Sequence, residues 1–124
     1  MNYYDAMISC HVGVFPSYYE SWGYTPLEAA ALGLQSITTD LSGFGKFIEP
    51  KLEEGETSIM VLKRDKIQYH EVVDNLTNTL FDIYNMSKKQ RGLMKIRSKH
   101  LSMLADWALL IKNYMKAYEI AGKK

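Results

Sequence analysis

Two acids in the stretch "PSYYESWGYTPLEAAALG" (16–33) have the type and setting for chemistry. Glu20 lies in a polar, aromatic segment between Tyr19 and Trp22, where a solvated surface acid would need no aromatic neighbours. A carboxylate so placed can hydrogen-bond sugar hydroxyls or stabilise positive charge developing at an anomeric carbon. Glu28 lies eight positions on, in "TPLEAAALG", which carries helix punctuation: Thr25 suits the N-cap, Pro26 the first helical position and Glu28 the third. Thr25 and Glu28 together form a capping-box pattern. The plain reading is that these three residues start a helix and do no more. The functional reading is that exposed N–H groups and the positive end of the helix dipole suit this place to a phosphate, with Gly23 letting the backbone come close. Nine Tyr and two Trp add polar-tipped aromatics of the kind used at ligand sites and in half-buried packing alike.

Other chemistry-bearing residues are sparse. His11 falls within an apolar stretch and reads as a satisfied core or near-site histidine; His70 and His100 have no Cys or Asp at ligand spacing, so no metal is expected. The single cysteine, Cys10, excludes an internal disulfide and has no partner for nucleophilic catalysis. Net charge is +1, which argues for neither nucleic acid nor an anionic membrane as partner. No apolar run approaches the ~20 residues that span a bilayer, and "MNYYDAMISC" lacks the basic region of a signal peptide. A cytoplasmic location is expected.

The elements that must position Glu20 and Glu28 follow from patterning. "ISCHVGVF" (8–15) is apolar and β-branched and reads as a buried strand ending at Pro16; "LQSITT" (34–39) and "SIMVL" (58–62) read as two more. "DLSGFG" (40–45) reads as a glycine-bearing turn, and "FIEPKLEE" as a short helix or irregular segment interrupted by Pro50. From about Lys66 the pattern is helical. Val72, Val73, Leu76, Leu80, Ile83 and Tyr84 form one stripe of an amphipathic helix; a basic segment (87–100) follows, and 101–121 reads as a further periodic helix anchored by Asp106 and Trp107. Strands alternating with helices predict an α/β fold with a short parallel sheet, a helical C-terminal third (about 66–121) and 124 residues as one domain. About three strands make a thin sheet, as expected for part of a larger domain. In such sheets ligands bind beyond the carboxyl ends of the strands, where 16–25 lies.

The stretch "CHVGVFPSYYESWGYTPLEAAALGLQSITTDLSGFG" (10–45) closely resembles the signature region of glycogen synthases of the animal and fungal type, glycosyltransferase family 3. "LADWALLIKNYMKAYEIA" (104–121) is similar to the family's closing helix, so the resemblance covers essentially the whole chain. It implies two Rossmann-like domains facing across a cleft, the GT-B arrangement. This chain resembles the later part of the C-terminal domain, on the donor-nucleotide side, without the acceptor-binding N-terminal domain. The implied reaction transfers glucose from UDP-glucose, with retention, to the 4-hydroxyl at the non-reducing end of an α-1,4-glucan, with no metal or other cofactor. The isolated chain is expected to be inactive.

Residue by residue, the resemblance makes Glu20 the catalytic acid beside the donor glucose and Glu28 the acid that reaches the ribose. Thr25, with the N–H of Tyr24, would meet the diphosphate; Tyr3 would stack on uracil; Trp22 and Gly23 would shape the loop. Ser21 replaces the family's usual Pro. The basic segment falls where the family carries an arginine-rich helix that binds glucose 6-phosphate, which makes Arg91, Lys95 and Arg97 candidate positions for an allosteric phosphate. Several of the basic residues there are Lys, which lacks the bidentate fork suited to phosphate, and a solvated basic helix face is the expected reading. Other expectations remain open at this level: a related GT-B enzyme with another nucleotide-sugar donor such as an ADP-sugar, a non-catalytic nucleotide- or glucan-binding module, and assembly as a homo-oligomer.

Overall fold

A computed structural model describes residues 2–123 of the chain. Three parallel strands, β1 (Val12–Val14), β2 (Gln35–Thr39) and β3 (Ile59–Leu62), lie in that order in one sheet, with Gly13 opposite Ser36 and Ile37 opposite Met60. The helices are α1 (Tyr3–Ile8), α2 (Tyr24–Ala31), α3 (Gly43–Ile48), α4 (Tyr69–Asn85), α5 (Lys88–Ser102) and α6 (Trp107–Ala121), with single 3₁₀ turns at Glu49–Lys51 and Met103–Ala105. The expected α/β class, short parallel sheet and helical last third are all present.

Alternation along the strands creates two cores. Ile37 and Leu62 face α4, packing on Val72 and Ile83 with Leu76, Leu80 and Met86 at the margin. Ile59 faces the other way, joining Ala30, Phe44, Ile48 and Ala105 beneath α2, α3 and α5. All five residues of β2 are buried, although four are polar. Each polar side chain is satisfied: Gln35 donates to Thr57 O, Ser36 to Pro26 O, Thr39 to Ser17 O, and Thr38 pairs with the Ser42 hydroxyl. A central strand can carry such residues only on those terms.

Several boundaries differ from the sequence reading, each for a local reason. The first strand is shorter than 8–15 because Asn2 caps a preceding helix, its side chain accepting from Asp5 N, and that helix runs through Ile8. The strand is also half-buried, and His11 is exposed, because β1 pairs on one side only. The glycine-bearing stretch 40–45 is a turn only at its start. Ser42 accepts from Gly45 N at 2.9 Å and starts α3 inside the segment. The α4 stripe is narrower than its apolar residues suggested, with Val73 and Tyr84 exposed beside a line of buried Val72 and Ile83 and half-buried Leu76 and Leu80. The last helix is not continuous from 101. A 3₁₀ turn intervenes and Asp106 caps the new helix, accepting from Ala108 N at 2.7 Å. Trp107 does not anchor it: the ring is 58 % exposed and stacks on Tyr114 of the same helix, and α6 buries none of its residues. Among the described residues no helix is long and apolar enough to cross a membrane.

Candidate active site

The loop from Phe15 to Gly23 leaves the carboxyl end of β1 and runs along the end of β2 and the start of α3 before entering α2. Its backbone is held at two places. Near β1, Thr39 Oγ1 donates to Ser17 O at 2.9 Å and Arg64 Nη1 to Pro16 O at 2.7 Å. Further on, Glu20 bridges Ser42: Glu20 N donates to Leu41 O, Gly43 N to Glu20 O at 3.0 Å and Phe44 N to Trp22 O at 2.6 Å. This close approach explains the first glycine of "SGFG", and the end of β2 explains the second. A Cβ on Gly43 would overlap Ser21 O and stand 3.1 Å from Trp22 Cα, and one on Gly45 would overlap Thr39 O. With the backbone so clamped, the side chains of Tyr19 and Glu20 stand in solvent, while the exposed Tyr18 ring rests against the Arg64 guanidinium. Glu20 is thus an exposed acid on a fixed backbone.

The entry to α2 differs from the capping-box expectation. The N-cap is Gly23, with φ +104° and no side-chain cap, so Thr25 and Pro26 lie in the second and third helical positions and Glu28 in the fifth. Tertiary geometry explains the shift. The bond from Phe44 N to Trp22 O turns the chain into the left-handed conformation at Gly23, and the helix starts there, before the residue with a capping side chain. A Cβ at Gly23 would come within 3.2 Å of Pro26 and 3.4 Å of Glu20 Cγ, so the Glu20 stem lies over this glycine. The first N–H groups of α2 have no capping side chain, and Tyr24 and Thr25 are exposed. That arrangement keeps the donors free for an anion, whereas a Thr25–Glu28 box would have consumed them.

Glu28 is released from capping and is used differently. Its Oε2 accepts from the Tyr3 hydroxyl at 3.0 Å, joining residues from the two ends of this region. Partial desolvation, and then the hydrogen bond to and charge of Glu28, raise the Tyr3 phenol above the ordinary tyrosine range; a hydrogen bond with Thr25 opposes them. Tyr3, Thr25 and Glu28 therefore form one cluster at the start of α2. Trp22 stands apart: its ring packs on Phe44 at 6.0 Å and Phe47 at 5.4 Å, inside the apolar core. It is partly buried and braces the loop against α3.

The basic positions of α5 do not converge. Arg97 is engaged by Glu53 and by Glu56, whose side chain is 2 % exposed; Arg91 donates to Met86 O. Lys95 lies where α5 crosses the α2–β2 turn, its carbonyl 3.4 Å from where a Cβ on Gly33 would be. Ser87 and Gln90 form the capping box that starts α5, a pairing the composition of the segment had masked. Among the described residues no group of three or more His, Cys, Asp or Glu gathers as a metal cage would require. Arg64 has no signal in the sequence beyond following an apolar strand, and the "SGFG" glycines read there only as a turn; both are part of the frame that holds Glu20.

Comparison with known proteins places this frame. The family model described as glycogen synthase matches residues 1–124. The chain is 41 % identical over 108 residues to a glycogen [starch] synthase of Caenorhabditis elegans, covering 86 % of this chain and 16 % of that protein. It is 38 % identical over 125 residues to the glycogen [starch] synthase of Neurospora crassa, and 37 % over 127 residues to isoform 1 of Saccharomyces cerevisiae, in each case covering 100 % of this chain and 18 % of the relative. The chain belongs to the glycogen synthase family, and it spans less than a fifth of the length of these relatives.

Proposed function

We propose that this chain forms the donor-nucleotide wall of a retaining glucosyltransferase that moves glucose from UDP-glucose to the 4-hydroxyl at the non-reducing end of an α-1,4-glucan. The observation that carries the reading is the pairing of an exposed Glu20, on a clamped backbone, with the uncapped start of α2 and the Tyr3–Thr25–Glu28 cluster beside it. A nucleotide sugar needs those three features in that order: sugar, diphosphate, nucleoside.

The division of work follows from charge. In the transfer, the bond from the glucose anomeric carbon to the β-phosphate oxygen breaks, and the electron pair leaves with UDP. The acceptor 4-hydroxyl oxygen forms the new bond, and its proton passes to the departing β-phosphate oxygen of UDP. Negative charge grows on the diphosphate, where the N–H groups of Tyr24 and Thr25 and the positive end of α2 lower its energy. Positive charge grows on the sugar ring, where the Glu20 carboxylate stabilises it. Glu28 and Tyr3 hold ribose and base, fixing the reacting carbon against Glu20. The acceptor requires a second, facing domain, so the chain alone binds UDP weakly and transfers no glucose. The protein acts in the cytoplasm, where nucleotide sugar and glucan meet.

The test is glucosyl transfer by the full-length protein and its Glu20→Ala variant, with circular dichroism as the check on folding. Loss of turnover with an intact fold supports the role of Glu20, and undiminished turnover refutes it. Calorimetry of the chain with UDP, ADP and glucose 6-phosphate completes the test. A stronger response to ADP would reassign the donor, and saturable binding of glucose 6-phosphate would overturn the reading of α5 as a solvated basic face.

A further inference from the structure

We propose that Arg64 is a positioning residue for Glu20, gripping the loop that carries it; the inference rests on the glucosyl-transfer reading above. Arg64 follows β3, forty-four residues from Glu20 in sequence, yet its guanidinium reaches back across the strand ends. Nη1 donates to Pro16 O at 2.7 Å, and the guanidinium carbon lies 3.5 Å from the centre of the Tyr18 ring. One planar group thus holds both the backbone and a side chain of the segment just before Glu20, a two-point contact that an ammonium cannot reproduce.

The base of the grip is itself fixed. Asp40 Oδ1, at the end of β2, accepts from Arg64 N at 2.9 Å and Asp65 N at 3.2 Å, and Asp40 N donates to Leu62 O. The ends of all three strands are therefore connected through Asp40, Arg64 and Pro16. The position also carries a cost: Nε of Arg64 is buried with no hydrogen-bond partner. A side chain that served only to cover the sheet end would gain nothing from that orientation, whereas one aimed at Pro16 O and Tyr18 requires it.

The grip acts on the sugar end of the site. Tyr3 and Glu28 sit on α1 and α2, and Arg64 makes no hydrogen bond or stacking contact with either. Releasing the segment before Glu20 should therefore misplace the carboxylate in the transition state while leaving nucleotide binding intact.

The experiment compares wild type, Arg64→Ala and Arg64→Lys in the full-length protein. Arg64→Ala should lower kcat by about 10- to 100-fold, since a displacement near 1 Å has effects of that order. KM for UDP-glucose and UDP affinity by calorimetry should stay within about twofold. Amides of 17–22 should exchange faster with deuterium, and added methylguanidinium should restore part of kcat. Arg64→Lys, which keeps the charge without the fork, should show a smaller loss of the same kind and serves if the alanine variant does not fold. Unchanged kcat in both variants overturns the proposal, as does a joint fall of kcat and UDP affinity, the mark of a general loss of structure. A wild-type protein that transfers no glucose refutes the functional reading instead, and the exchange of 17–22 then still shows whether Arg64 holds the loop.

Discussion

Replacing Gly43 by alanine measures how tightly the Glu20 loop is clamped. The added Cβ would overlap Ser21 O and press on Ser21 C and Trp22 Cα, both 3.1 Å away, so loop and helix must part by about an ångström to restore ordinary contact. That movement breaks the bonds from Gly43 N to Glu20 O and from Phe44 N to Trp22 O, now 3.0 and 2.6 Å. Each donor left unsatisfied costs about 1–3 kcal/mol. Alanine's conformational advantage over glycine returns about 0.5–1 kcal/mol, leaving a net loss of about 1–5 kcal/mol for the two donors together. Gly92 supplies the control. It lies inside α5 with nothing within 4 Å of where a Cβ would stand, so Gly92→Ala should stabilise the fold by about 0.5–1 kcal/mol. Urea unfolding, followed by far-ultraviolet circular dichroism and tryptophan fluorescence, reads both as midpoint shifts at constant slope. The two shifts should have opposite signs. Gly43→Ala as stable as wild type, or Gly92→Ala as damaging as Gly43→Ala, would refute the account of the clamp.

Two further outcomes follow from charge and stacking. Burial pushes the Glu56 carboxyl up, but hydrogen bonds from the Ser58 hydroxyl and N–H, and from Arg97, outweigh it and hold the group below the ordinary 4.5. A carboxyl depressed in the folded state contributes stability that is complete above the unfolded value and lost as pH falls through the lower folded one. Arg97→Ala should lower stability near neutral pH and shrink this acid-dependent part; urea melts between pH 3 and 7 that show an unaltered acid limb would contradict it. At the proposed nucleoside end, Tyr3→Phe keeps the ring and loses only the bond to Glu28, so UDP affinity should change by less than about threefold, whereas Tyr3→Ala should weaken it by about tenfold or more. Equal affinity for all three proteins in calorimetry would remove Tyr3 from the site.

Much was readable in the chain itself. Strand and helix periodicity located the sheet and the helical last third, because burial on one face leaves its mark on local sequence. Glu20 stood out as an acid among aromatics, and Tyr3, Thr25 and Glu28 were assigned together through the family resemblance; the structure brings the Tyr3 hydroxyl onto Glu28, a contact that spacing alone does not predict. Where α2 begins was not readable. Thr25, Pro26 and Glu28 make a sound capping box on local grounds, yet a bond from Phe44 N to Trp22 O turns Gly23 left-handed and starts the helix earlier. That decision belongs to α3, about twenty residues downstream, and no local rule contains it. The engagement of Arg97 by two acids and the reach of Arg64 to Pro16 are decisions of the same kind. Periodicity reports which side of an element is covered; which partner covers it depends on segments brought together only when the three strands align their ends.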